Sequence, residues 1–105
     1  MGVLKEIIWK GGTLADVRRY PKAVKQEIGF ELNNIQKGET PSDYKSMKSV
    51  GKGVREIRIH YENEYRVIYV ASFEEAIYVL HTFVKKTQKT SKKDIDLARE
   101  RYKTI

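Results

Sequence analysis

Between Val54 and Tyr61 hydrophobic and polar residues alternate. Arg55, Ile57, Ile59 and Tyr61 fall on one side of an extended chain, and Val54, Glu56, Arg58 and His60 on the other. The pattern predicts a strand with one core face and one polar face. Tyr65 to Ser72 and Ala76 to Phe83 are dense in Val, Ile, Tyr and Phe, which suit a pleated, half-buried surface. Glu62-Asn63-Glu64 and Glu74-Glu75 are the polar breaks between them, so three antiparallel strands follow one another as a meander. Upstream, Val3 to Trp9 (VLKEIIW) reads as a strand ended by Gly11-Gly12. Thr13 is placed to cap a short helix, with Asp16 in its first turn. Tyr20-Pro21 interrupts that helix, and a second runs from Pro21 to about Gln36. Ala23 or Val24, Ile28, Leu32 and Ile35 form its apolar stripe, and Gly38 stops it. After a Thr40-Pro41-Ser42 loop, Tyr44 to Val50 holds a short edge strand, and Gly51-Lys52-Gly53 turns into the alternating strand. Thr90 or Ser91 caps a last helix with Asp94 in its first turn; Ile95, Ala98, Tyr102 and Ile105 fall on its apolar side.

The elements define an α+β chain: a compact, mostly antiparallel sheet, two N-terminal helices packed on it and a short C-terminal helix. At 105 residues the chain fits a single domain, 1–105, that buries roughly two-thirds of its unfolded surface. No apolar run approaches the roughly 18 residues of a membrane span, and the first ten residues lack the apolar core of a secretory signal. With no cysteine there is no disulfide framework or thiolate metal site, and two histidines are too few for a zinc site without carboxylate help. A reducing cytoplasm is the expected setting, with no metal and no cofactor.

The net charge of +7 is unevenly placed, since eight Lys and Arg between Val84 and Ile105 face only Asp94, Asp96 and Glu100. A field of that kind attracts nucleic acid, an acidic protein or an anionic surface without choosing among them. The chain contains no Walker loop, dinucleotide glycine pattern, hydrolase triad order or metal-binding helix motif. What remains is Arg58, His60, Arg66, His81, Lys85, Lys86, Thr87, Lys89 and Thr90, together with tyrosines able to stack on a base. Each has a plain alternative. Arg66, inside an apolar strand, is either paired with a carboxylate such as Glu56 or kept for an anion. His81, flanked by Leu80 and Phe83, is either a hydrogen-bonded structural histidine or an acid-base group. Tyr61, Tyr65, Tyr69 and Tyr78 suit sheet packing, while Lys92 and Lys93 suit a solvated helix face.

The order of these segments is more specific than any one of them. GKGVREIRI at Gly51 to Ile59, YRVIYV at Tyr65 to Val70, YVLHTFVKKTQKT at Tyr78 to Thr90 and a closing helix at Asp94 to Arg101 resemble the phage-derived HigB-like toxins. These belong to the RelE/ParE superfamily of type II toxin–antitoxin systems. LNNIQKGETP at Leu32 to Pro41 and KSMK at Lys45 to Lys48 extend the resemblance to nearly the whole chain.

The resemblance implies a ribosome-dependent endoribonuclease that cuts messenger RNA by driving the 2′-hydroxyl onto the adjacent phosphate. Such chemistry needs a base, positive charge on the developing phosphorane and an acid for the 5′-oxygen. Arg66 matches the strand arginine of RelE-type sites, Arg58 sits near a strand lysine there, and Lys86 near the basic residue after the last strand. No tyrosine stands clearly at the family's C-terminal catalytic position, which leaves His60 and His81 as acid-base candidates. The expected catalytic set is therefore Arg58, Arg66, Lys86 and His81. Lys45, Lys48, Lys52, His60, Lys85 and Lys89 are expected to bind RNA. The implied partners are the ribosome with its mRNA, and a cognate antitoxin carrying a helix-turn-helix domain. The ParE branch, which poisons DNA gyrase without catalysis, and a basic adaptor that only binds remain alternatives.

Overall fold

The computed structural model describes residues 4–105. Val3, at the start of the expected first strand, lies outside them, and β1 spans Glu6–Trp9. Helix α1, Thr13–Arg18, and helix α2, Lys22–Gln36, follow. Strands β2 (Tyr44–Ser46), β3 (Val54–Tyr61), β4 (Asn63–Val70) and β5 (Ala76–Lys85) lead to α3, Lys92–Lys103. The strands form one sheet in the order β1-β5-β4-β3-β2, antiparallel except for β1, which lies parallel to β5. This is the α+β architecture that the patterning predicts.

Local chemistry sets the helix ends. Thr13 does not cap α1: it is the first helical residue, and its hydroxyl turns back to donate to the Lys10 carbonyl at 2.8 Å. Pro21 holds the position before α2, whose far end closes at Gly38. There the backbone turns to φ +89°, the Gly38 amide donates to Ile35 and the Glu39 amide to Asn34. That paired closure satisfies two carbonyls left over at the helix end and needs a residue able to adopt positive φ. Ser91 caps α3 by accepting from the Asp94 amide.

Two hydrophobic layers sandwich the sheet. Val24, Ile28, Leu32 and Ile35 of α2 join Val17 of α1 over Ile57, Ile59, Val67, Tyr69, Ile77 and Val79. On the other face Ala98 of α3, with Ile95 and Tyr102 partly buried, covers Val54, Ile68, Val70, Tyr78 and Leu80. The expectation that one face of β3 is polar therefore fails at its start, where Val54 and Glu56 are each 1% exposed. The edge strand is also shorter than expected, because the chain turns after Ser46 and buries Met47 and Val50 beneath α3. Ile105, expected on the apolar side of α3, is exposed.

A bulge in β5 matters for the site. Tyr69 pairs with Val79 but Ile68 with His81, so Leu80 is the extra residue, and the alternation of β5 resets there. Beyond the bulge His81 and Phe83 stack beneath α3, and the strand runs on to Lys85.

Candidate nucleic-acid interface

The face of the sheet that carries α3 is apolar only near the start of β3. Towards the β3–β4 hairpin α3 no longer covers it, and the same alternation places Glu56, Arg58 and His60 there in a row. In the register, Arg58 lies opposite Arg66, His60 opposite Glu64, and Glu64 opposite Lys85 on the next strand. Lys45 of β2 lies opposite Glu56. Four strands thus bring a band of charged side chains together.

Glu56 lies at its centre. Its Oε2 accepts a hydrogen bond from the Thr90 hydroxyl at 3.0 Å, which fastens the lysine-rich loop after β5 to the sheet. Its Oε1 lies 3.7 Å from Arg66 Nε and 3.9 Å from Arg58 Nε. Arg66 is 5% exposed; its Nη1 donates to the Tyr65 carbonyl at 3.0 Å and its Nη2 to Glu64 at 3.2 Å. Arg58 is half-buried. An open cleft of about 510 Å³ runs past Glu64, Arg66, Lys85, Lys86 and Gln88. Across the loop a second, of about 420 Å³, is lined by Lys45, Lys48, Lys85, Lys89 and Thr90. A more enclosed cleft of about 400 Å³ lies on the opposite face, beside Lys5, Gln36, Arg55 and Tyr69, away from these groups.

The expected residues divide accordingly. Arg66, Lys85 and Lys86 line the first cleft, with Arg58 across from Arg66 on the neighbouring strand, and Lys45, Lys48 and Lys89 line the second. His60 stands at the exposed end of the band, its Nε2 2.8 Å from Asp43 and its Nδ1 2.6 Å from Glu64. Those two carboxylates hold the imidazole pKa above its ordinary 6.5. Reciprocally, the His60 hydrogen bond, reinforced by Arg66, lowers the pKa of Glu64. Lys52 lies apart, in the turn at the other end of β3 beside Tyr102. His81 lies beneath α3, where its Nε2 is 2.7 Å from Asp94 and its Nδ1 3.5 Å from Arg101. Asp94 also accepts from the Ser91 hydroxyl at 2.6 Å, so His81 is built into the joint between β5 and α3.

Two participants escaped sequence reasoning, Asp94 as a partner of His81 and Thr90 as the loop anchor; Glu56 was expected beside Arg66, and what the sequence missed is that Arg58 shares it. The signal for that sharing was present: Glu56 is set two residues before Arg58 on the same face of a strand. Among the described residues no group of histidine and carboxylate side chains is arranged to hold a metal ion, and no helix is long and apolar enough to cross a membrane.

The model of the family "Phage derived protein Gp49-like (DUF891)" matches residues 15–103, from within α1 to the last turn of α3. The chain is a member of the Gp49-like family. A comparison with curated proteins finds no match. The Gp49-like family is associated with RelE- and HigB-type toxins, which implies an antitoxin as partner. Within this Gp49-like chain the match takes in the whole charged band and both clefts, leaving only β1 outside among the strands.

Proposed function

We propose that this Gp49-like protein is the HigB-like toxin of a type II toxin–antitoxin pair and a ribosome-dependent mRNA endoribonuclease, neutralised by an antitoxin with a helix-turn-helix domain. The observation that carries the reading is the pairing of Arg58 with Arg66 on adjacent strands, beside an open cleft edged by Lys85 and Lys86. Two guanidinium groups side by side suit the oxygens of one phosphodiester, because each can donate along a fork that matches them. As the RNA 2′-hydroxyl attacks it loses its proton to water, negative charge grows on the non-bridging oxygens, where the arginines stabilise it, and the bond from phosphorus to the 5′-oxygen breaks, leaving a 2′,3′-cyclic phosphate and a 5′-hydroxyl that takes up a proton. Lys86, exposed at the mouth of the cleft, offsets charge on the departing 5′-oxygen.

Among the described residues neither histidine presents an unengaged ring nitrogen, since Asp43 and Glu64 hold His60 while Asp94 and Arg101 flank His81. The ribosome therefore supplies much of the alignment, which by itself lowers a barrier by several kcal/mol, on the order of 7–11 in well-oriented systems. Naked RNA is cut poorly in this reading.

The test is brief induction of the chain without antitoxin, followed by sequencing of RNA 5′ ends. New 5′-hydroxyl ends inside open reading frames, paired with 2′,3′-cyclic phosphates, are the expected outcome, and they disappear with folded Arg66→Ala or Lys86→Ala. Intact messages accompanied by DNA breaks or lost supercoiling would reject the ribonuclease reading in favour of gyrase.

A further inference from the structure

A carboxylate as buried as Glu56 ordinarily requires close partners, because desolvating a charge is expensive. Glu56 has one hydrogen bond, from Thr90, while its Oε1 and the Nε groups of Arg58 and Arg66 are all buried without a hydrogen-bond partner. Separations of 3.7 and 3.9 Å are too long for hydrogen bonds but short for unit charges in a poorly solvated setting. An ion pair serving stability alone would close that gap, and apolar residues of similar size often stabilise as much. The arrangement answers another problem. Arg58 and Arg66 lie directly across from one another, and two cations so placed repel unless an anion lies between them.

We infer that Glu56 is a positioning residue: the buried counter-charge that lets Arg58 and Arg66 share one RNA phosphate, and the anchor that brings the lysine-rich loop to the same point through Thr90. Glu56 lies between the two guanidiniums, while Glu64 holds only the outer side of Arg66 at 3.2 Å, so Arg58 carries the less compensated charge toward the substrate. At 1% exposure Glu56 does not touch RNA itself. Its effect on cleavage rests on the ribonuclease reading above, whereas its effect on the arginines does not.

The test uses the full chain carrying Glu56→Gln, which keeps the shape and an acceptor for Thr90 but removes the charge. Two readouts are taken: the arginine Nε–H resonances by NMR, and cleavage of a translated message with kcat and KM separated. The Arg58 and Arg66 resonances shift and exchange faster, while the methyl signals of Ile57 and Ile59 stay in place. kcat falls at least tenfold, with KM unchanged or lower because the variant is one unit more positive. A merely structural role would leave kcat per folded molecule alone. Should Glu56→Gln fail to fold, Glu56→Asp replaces it; retracting the charge by one methylene gives the same resonance changes and a smaller loss of kcat. Wild-type arginine signals in the folded variant overturn the inference, as does a wild-type kcat. If the unmutated protein cuts no RNA, the ribonuclease reading falls and the arginine resonances alone decide the role of Glu56.

Discussion

Gly51 offers a sharp test of how α3 is held. Its φ is not in the left-handed region, yet a Cβ built there would meet the Tyr102 ring at 2.6, 2.7 and 2.8 Å. That ring cannot easily retreat, since it packs against Phe73 at 6.4 Å between centroids and its hydroxyl donates to the Lys52 carbonyl at 3.3 Å. Gly51→Ala therefore acts as an insertion into a filled space, which costs about 1–3 kcal/mol. Stiffening the unfolded chain returns about 0.4–1 kcal/mol. The net expectation is a loss of about 1–2 kcal/mol, and each kcal/mol lowers the melting temperature of a domain this size by about 4–8 °C. Urea unfolding of Gly51→Ala, Tyr102→Ala and the double variant isolates the contact. Once the ring is gone the added methyl should be neutral or slightly stabilising, giving a coupling of about 1–3 kcal/mol. A loss that is the same with and without Tyr102 would show that the clash is not the cause.

Ser91→Ala removes the cap of α3 and the hydroxyl that steadies Asp94, and a loss of about 1 kcal/mol is expected by denaturant titration. Ile28→Ala opens the core between α2 and the sheet, where Ile28 is 1% exposed, and should lower stability by about 2–5 kcal/mol. The interactions of His60 carry a pH signature. Because the folded pKa is raised above 6.5, the stability they add is complete below that value and lost as pH rises through the folded pKa; because that of Glu64 is lowered from 4.5, its share is complete above 4.5 and lost as pH falls further. The joint contribution is thus fullest between those two values, and an NMR titration of His60 should show an elevated midpoint that falls towards 6.5 in Glu64→Gln.

The sequence carried the element order because each element is specified locally: Pro21 and Gly38 bound α2, and alternation marks β3. It misjudged the second face of β3, because what buries Val54 and Glu56 arrives some forty residues later, as α3 and the loop before it. The bulge at Leu80 left no trace either, so nothing in YVLHTFVKK placed His81 beneath α3 against Asp94. For Arg66 the sequence offered two readings, pairing with Glu56 or readiness for an anion. The structure seats the carboxylate 3.7 Å from Nε, near enough to balance charge yet too far to close a hydrogen bond.

The parallel pairing of β1 with β5 bears on how the molecule comes into being. Glu6 lies beside Ala76 and Trp9 beside Val79, so the first strand has no neighbour until most of the chain has been synthesised. Contacts between residues so distant in sequence slow folding, because the intervening loop must lose its freedom before they form. The β3–β4–β5 meander, by contrast, closes through short connections. The meander is thus the natural nucleus, with the N-terminal strand docking late against a sheet already in place. Deleting β1 should then mainly speed unfolding and leave the folding rate nearly unchanged.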